Sequence, residues 1–233
     1  MLKLIMALSR INKISKIHPV EKILLSIFPI IVIGFCQRAI PIIGNIMVFI
    51  ILHLICENNK KIVVKFTLGI TIFAAISSIT FVFDYGLNYS VIILLKSLSA
   101  GLCLSFFSLT TAIDDVLLIL SKNNYLRDIC DIAKSMERFI LLIDEEWRIL
   151  YNSIKSRGGF DGVKLKIENT GKMTGLLFIN TMHRWKNIKD GIDSRGYKGY
   201  MPYLNKDFNF SYLRFGGICI YLLGLSTLIY INI

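Results

Sequence analysis

Charge is scarce in this sequence. Asp, Glu, Lys and Arg make up 18% of its 233 residues, against about 25% in a typical soluble domain. Hydrophobic residues reach 54% and mean hydropathy is +0.60. The combination excludes a disordered chain and an ordinary cytosolic enzyme, and leaves a polytopic membrane protein. Paired cysteines are missing too. Cys36, Cys56, Cys103, Cys130 and Cys219 show no C-x-x-C spacing, and all but Cys130 fall in or at the edge of apolar runs. They read as small membrane hydrophobes, which excludes a disulfide scaffold and a thiolate metal site. The histidines His18, His53 and His183 are dispersed, so no metal site is expected. Gly158-Gly159 and Gly196-x-x-Gly199 follow no strand and match no phosphate loop, so ATP should not bind this chain.

What is present is a set of apolar runs edged by cations. Lys and Arg number 27 against 16 Asp and Glu, a net charge of +11. In a soluble protein that excess would point to nucleic acid. Here the accumulation of Lys and Arg on cytoplasmic flanks explains it, and no nucleic-acid partner is expected. Between Lys22 and Arg38 lie 15 uncharged residues, and between Arg38 and Glu57 lie 18. Phe66 to Phe83 adds 18, residues 90–113 are interrupted by Lys96 alone, and Phe215 to Ile233 adds 19. A membrane helix needs about 20 apolar residues, with about 17–25 tolerated. The expectation is an all-α membrane protein with about five spans, the first of them short and carrying Pro29.

Charge then orients the spans. Lys3, Arg10, Lys13, Lys16 and Lys22 precede the first run, and Lys60 and Lys61 stand between the second and third. Arg38 and Asp84 alone mark the opposite junctions. The N-terminus and residues 114–214 are therefore expected in the cytoplasm. The division expected is a four-span region over 1–113, a cytoplasmic helical region over 114–214 and a last span over 215–233. An N-terminal signal peptide is not expected, because another span comes after the first apolar run.

Residues 114–214 carry 17 Lys and Arg and 13 Asp and Glu, with one proline. Ile143, Trp147, Leu150 and Ile154 step by 4, 3 and 4, one face of a helix over 136–155. Asp144 and Arg148 can pair across one turn of it. A second helix is expected from about Gly171, with Trp185, Ile188 and Ile192 on its apolar face. The first ends at Ser156-Arg157-Gly158 and the second at Ser194-Arg195-Gly196, so one tripeptide closes two amphipathic helices 38 residues apart. Either copy alone is ordinary capping, with glycine in the left-handed cap and arginine at the negative end of the dipole. Two copies suggest helices presented to a groove on a partner, each arginine offering a planar fork of donors. A helix lying on lipid fits less well, because Glu137, Asp144, Glu145 and Glu146 stand where cations would be needed. Lys96, about 9 Å inside its span, reads as a snorkelling or structurally paired cation, with a direct mechanistic role as the alternative.

These residues resemble the CbiQ/EcfT family, the transmembrane T component of energy-coupling factor transporters. His18-Pro19-Val20-Glu21-Lys22 is similar to that family's D/H-P-x-x-K lead-in, and Lys96-Ser97-Leu98-Ser99-Ala100 to its Arg-rich helix segment, with Lys in place of Arg. Thr110-Thr111 through Asp114-Asp115 and Leu117-Leu118 resemble the end of that helix. Glu137-Arg138-Phe139-Ile140 then leads through Asp144-Glu145 to the first Arg-Gly. The family's paired Ala-Arg-Gly motifs fall on Ser156-Arg157-Gly158 and Ser194-Arg195-Gly196, with serine for alanine in both.

The resemblance implies a non-catalytic subunit of a bacterial cell membrane importer. Two cytoplasmic ATPase subunits would bind ATP and receive Arg157 and Arg195 in grooves, with Gly158 and Gly196 ending the helices sharply. A membrane S component would capture the substrate. The stripes Ile143/Trp147/Leu150/Ile154 and Trp185/Ile188/Ile192 would pack the helices on each other or on the S component. The cargo implied is cobalt, with nickel or a vitamin as alternatives. A substrate-binding S component and a membrane-embedded enzyme are the rival classes. The first is opposed by the long cytoplasmic segment, the second by the lack of a nucleophile–base pair or a metal-ligand pattern.

Overall fold

The computed structural model describes residues 2–12, 14–196 and 208–231. Among them stand nine helices: α1 (Leu2–Ile11), α2 (Pro19–Gly34), α3 (Ala39–Ile55), α4 (Lys60–Tyr85), α5 (Leu87–Thr110), α6 (Ile113–Leu120), α7 (Asn124–Ser156), α8 (Val163–Ser194) and α9 (Tyr212–Ile231). They form two compact units, Met1–Val116 with Asn205–Ile233, and Leu117–Leu204. The chain is an all-α membrane protein.

In the first unit, three helices among the described residues are long and apolar enough to cross a bilayer: Lys60–Phe83, Leu87–Thr110 and Tyr212–Tyr230. The second expected span is one residue shorter as a helix, 17 residues, because Glu57 turns left-handed at φ 50° and ends it. There the Glu57 and Asn58 N–H groups bond back to the carbonyls of Leu54 and His53, the double closure that satisfies orphan carbonyls at a helix end. α2 has 16 residues, or about 24 Å, against a hydrocarbon core of about 30 Å. The last two residues of the expected final span lie outside the described residues.

Polar side chains hold these helices together where lipid offers no hydrogen bonds. Asn45 of α3 donates to Ser99 Oγ of α5 at 2.7 Å and accepts from the Tyr221 hydroxyl of α9. Close backbone approach does the rest. A Cβ on Gly101 of α5 would lie 3.2 Å from Thr67 Cγ2 and 3.4 Å from Thr67 Cα of α4, the small-residue contact that lets membrane helices pack by dispersion.

The second unit is built on a helical hairpin. Residues 135–142 of α7 share a cleft with residues 185–193 of α8, and residues 139–146 share another with 180–184. One numbering rises as the other falls, so the helices run antiparallel. Both are longer than the apolar pattern suggested. α7 starts at Asn124, where the Asn123 side chain caps it by accepting from the Tyr125 N–H at 3.3 Å. α8 starts at Val163 after Gly162, whose φ is 95°, with Gly171 inside it rather than at its start.

Candidate functional site

The two Ser-Arg-Gly ends close their helices in the same way. Gly158 and Gly196 are left-handed, at φ 68° and 74°, a conformation that costs other L-residues about 1–2 kcal/mol. The Gly158 N–H bonds to the Lys155 carbonyl at 3.1 Å and the Gly159 N–H to that of Ile154 at 3.0 Å, the two bonds of a Schellman end. At α8, Gly196 repeats the first bond on Asp193 at 3.1 Å. The serines turn inward: Ser156 Oγ donates to the Ser153 carbonyl at 2.9 Å and Ser194 Oγ to that of Asp190 at 2.6 Å. Each arginine is exposed, and neither guanidinium has a partner among the described residues. Arg10, Arg148, Arg184 and Arg214, by contrast, each pair with a carboxylate. Because the hairpin is antiparallel and α8 measures about 48 Å, Arg157 and Arg195 stand at its opposite ends.

Gly159 adds a constraint that the spacing of the motif did not reveal. A Cβ there would fall 2.5 Å from Ile154 Cγ2 and 3.0 Å from the Ile154 carbonyl oxygen. Its own carbonyl accepts from Asn169 Nδ2 at 2.6 Å, and Tyr151 stacks on Phe160 at 4.9 Å. The turn that carries Arg157 is therefore pinned from both helices.

Of the expected packing stripes, Trp185, Ile188 and Ile192 line the α7–α8 cleft opposite Phe139 and Leu142. Ile143 faces α8 beside Asn180 and Thr181, while Leu150 and Ile154 are half-buried. Trp147 and Trp185 stay open, 36% and 48% exposed. Sequence periodicity missed the polar clasp between the helices. Glu146 accepts from Asn180 Nδ2 at 3.0 Å and pairs with Arg184 at 3.2 Å. Asp144 and Arg148 pair at 3.1 Å as their spacing suggested.

The lead-in His18-Pro19-Val20-Glu21-Lys22 is a junction of helix ends. His18 Nδ1 accepts from the Val20 N–H at 3.3 Å, capping α2, and Pro19 begins the helix where its missing N–H costs nothing. Lys22, 3% exposed, donates to the Thr110 carbonyl at 2.9 Å, at the C-terminus of α5. Glu21 Oε1 accepts from the Ser211 N–H at 3.2 Å, and its second oxygen lies 3.6 Å from Arg214. That puts a carboxylate at the positive end of α9. Lys96 mirrors Lys22, its ammonium donating to the Gly34 carbonyl at the C-terminus of α2 at 2.8 Å. Each of α2 and α5 thus supplies the cation for the other's negative end. His53 is a packed core histidine. It accepts from Asn58 Nδ2 at 2.9 Å, which places the proton on Nε2, 3.2 Å from the Leu102 carbonyl and 2.9 Å from Ser105 Oγ.

A family model described as "CbiQ: Cobalt transport protein" matches residues 1–204. The chain belongs to the CbiQ family. The match takes in the lead-in, Lys96 and both Ser-Arg-Gly ends of this CbiQ protein. A relative from Methanocorpusculum labreanum, described as "Putative fused cobalt transport protein CbiMQ", is 29% identical over 116 residues, covering 49% of this chain and 19% of that one. This CbiQ chain thus spans about a fifth of that relative's length.

Proposed function

We propose that this CbiQ-family protein is the transmembrane coupling subunit of an energy-coupling factor importer in a bacterial plasma membrane. It links two cytoplasmic ATPase subunits to a substrate-binding S component, with cobalt as the cargo. The observation that carries the reading is the pair of exposed arginines without side-chain partners among the described residues, each held beside a left-handed glycine at one end of an antiparallel hairpin. A guanidinium offers a planar fork to carboxylates and carbonyls. Two such forks at opposite ends of a hairpin suit two copies of one partner. The helix joining them transmits movement as a rigid body, a two-state element of the kind that couples distant sites. The N-terminus and residues 114–214 lie on the cytoplasmic side in this reading. ATP is bound and hydrolysed by the partners, and this chain performs no covalent chemistry.

The similarity to the Methanocorpusculum relative, described as a "Putative fused cobalt transport protein CbiMQ", supports cobalt over nickel or a vitamin as cargo. Purification of the wild type and of Arg157→Ala/Arg195→Ala from membranes tests the proposal. ATPase subunits held by the wild type and lost by the variant are the expected result. An ATPase retained by the variant but idle in transport moves the arginines from assembly to transmission. A wild type that brings no ATPase with it overturns the proposal.

A further inference from the structure

The outer face of α4 carries a feature that coupling does not use. Lys60, Val64 and Leu68 step by four residues and form a ridge with a trough on either side. One trough, of about 470 Å³, runs against α3 and α5 past Leu54, Thr67, Leu98 and Leu102. The other, of about 610 Å³, runs past Lys61, Lys65, Gly69 and Ile72. Lys60, Val64 and Leu68 line both. All the lysines stand at one end of the ridge. Lys60, Lys61 and Lys65 are exposed, the first turn of α4 contains no acidic residue, and none of the three has an ion-pair partner among the described residues. Arg10, by contrast, pairs with Asp114, and Lys22 and Lys96 reach carbonyls.

We propose that this surface is a binding site for one anionic, two-chain glycerophospholipid, its phosphate at Lys60, Lys61 and Lys65 and one acyl chain in each trough. From Lys60 to Ile72 the second trough runs about 18 Å along α4, close to the roughly 15 Å depth of one leaflet. The helix N-terminus adds its partial positive charge to the three ammonium groups. Basic pockets at the polar ends of membrane helices select acidic headgroups in this way. The site rests on α4 spanning the membrane and is independent of what Arg157 and Arg195 contact.

Native mass spectrometry of the full-length protein, with phosphatidylglycerol and phosphatidylcholine of identical chains, tests it. The wild type should retain phosphatidylglycerol preferentially. Each lysine removed in Lys60→Gln/Lys61→Gln/Lys65→Gln should lower that preference by up to roughly fivefold. The triple Lys→Arg variant should keep it. Gly69→Leu, where an added Cβ meets nothing within 4 Å, fills a trough without strain and should lower occupancy by both lipids while preserving the headgroup preference. A benzophenone side chain at Leu68 in native membranes should label lipid. Equal retention of the two lipids, a preference that survives the glutamine variant or is lost in the arginine variant, or undiminished binding by Gly69→Leu would overturn the site. So would labelling of a polypeptide at Leu68, which would make the face a helix-docking surface.

Discussion

In the membrane bundle, three charged side chains serve the ends of other helices. Lys22 reaches the last carbonyl of α5, Lys96 that of α2, and Glu21 the Ser211 N–H just ahead of α9. In the hairpin, the arginines that close α7 and α8 reach nothing among the described residues, and the charge that joins the helices, Glu146 with Arg184, lies well inside them. The same chemistry is used in opposite ways. A cation at a foreign C-terminus completes the fold. A cation just beyond its own helix, beside a left-handed glycine, is open among the described residues to the partner proposed above.

That comparison breaks most visibly at Lys22. Lys22→Met would leave a carbonyl at the end of α5 without its buried charged donor, at a cost of about 1.5–3 kcal/mol. For a chain of this size the melting temperature of the purified protein should fall by about 3–12 °C. Lys96→Met removes the mirror contact from a more exposed position, so its melting shift should be smaller. A Lys96 effect equal to or larger than that of Lys22 would mean that burial does not set the value of these caps.

Gly159→Ala attacks the hairpin. Its Cβ would sit 2.5 Å from Ile154 Cγ2, well inside van der Waals contact distance, and overpacking of this kind costs about 1–3 kcal/mol. Hydrogen exchange should quicken around residues 151–169 while α2, α3, α4 and α5 keep their protection. Faster exchange in the bundle as well would show that the two units do not melt separately.

Two further glycines should respond with opposite signs. Gly158→Ala, at φ 68°, should destabilise the end of α7 by about 1–2 kcal/mol. Gly171→Ala, inside α8 with open space at its Cβ, should stabilise that helix by about 0.5–1 kcal/mol. Exchange rates at the two sites would separate a glycine required by the backbone from one the helix only tolerates.

The ends of α7 and α8 were legible in the sequence because a left-handed glycine cap is local, set by a few neighbouring residues. Their beginnings were not. Tyr125, Ile129 and Ile132 step by 4 and 3 but are exposed, so they add no packed face to the stripe at Ile143, and the start of α7 rests on the Asn123 side-chain cap. α8 runs through Gly171 because its first turns are held by contacts outside the apolar pattern: Asn169 on the Gly159 carbonyl, and Lys172 on Glu168 at 2.7 Å. The spans were readable from length, but the one-residue loss at α3 depends on Glu57 adopting a conformation that glycine favours. The use of Lys22 and Lys96 lies beyond any local reading, since their partners are 88 and 62 residues away.

The smallest effect on stability is expected where the functional stake is largest. Arg157→Ala/Arg195→Ala removes two exposed side chains that have no partner among the described residues, and substitutions of that kind fall within about 0.5 kcal/mol of neutral. Melting temperature and hydrogen exchange should therefore stay close to wild type while partner capture fails. Arg157→Lys/Arg195→Lys sharpens the point, because lysine keeps the charge but loses the planar fork. Capture retained by the lysine variant would reduce the contact to charge alone, and capture lost would require the fork's geometry. A large fall in melting temperature for the alanine variant would instead place these arginines with Lys22, as parts of the fold, and remove the contrast between the two units.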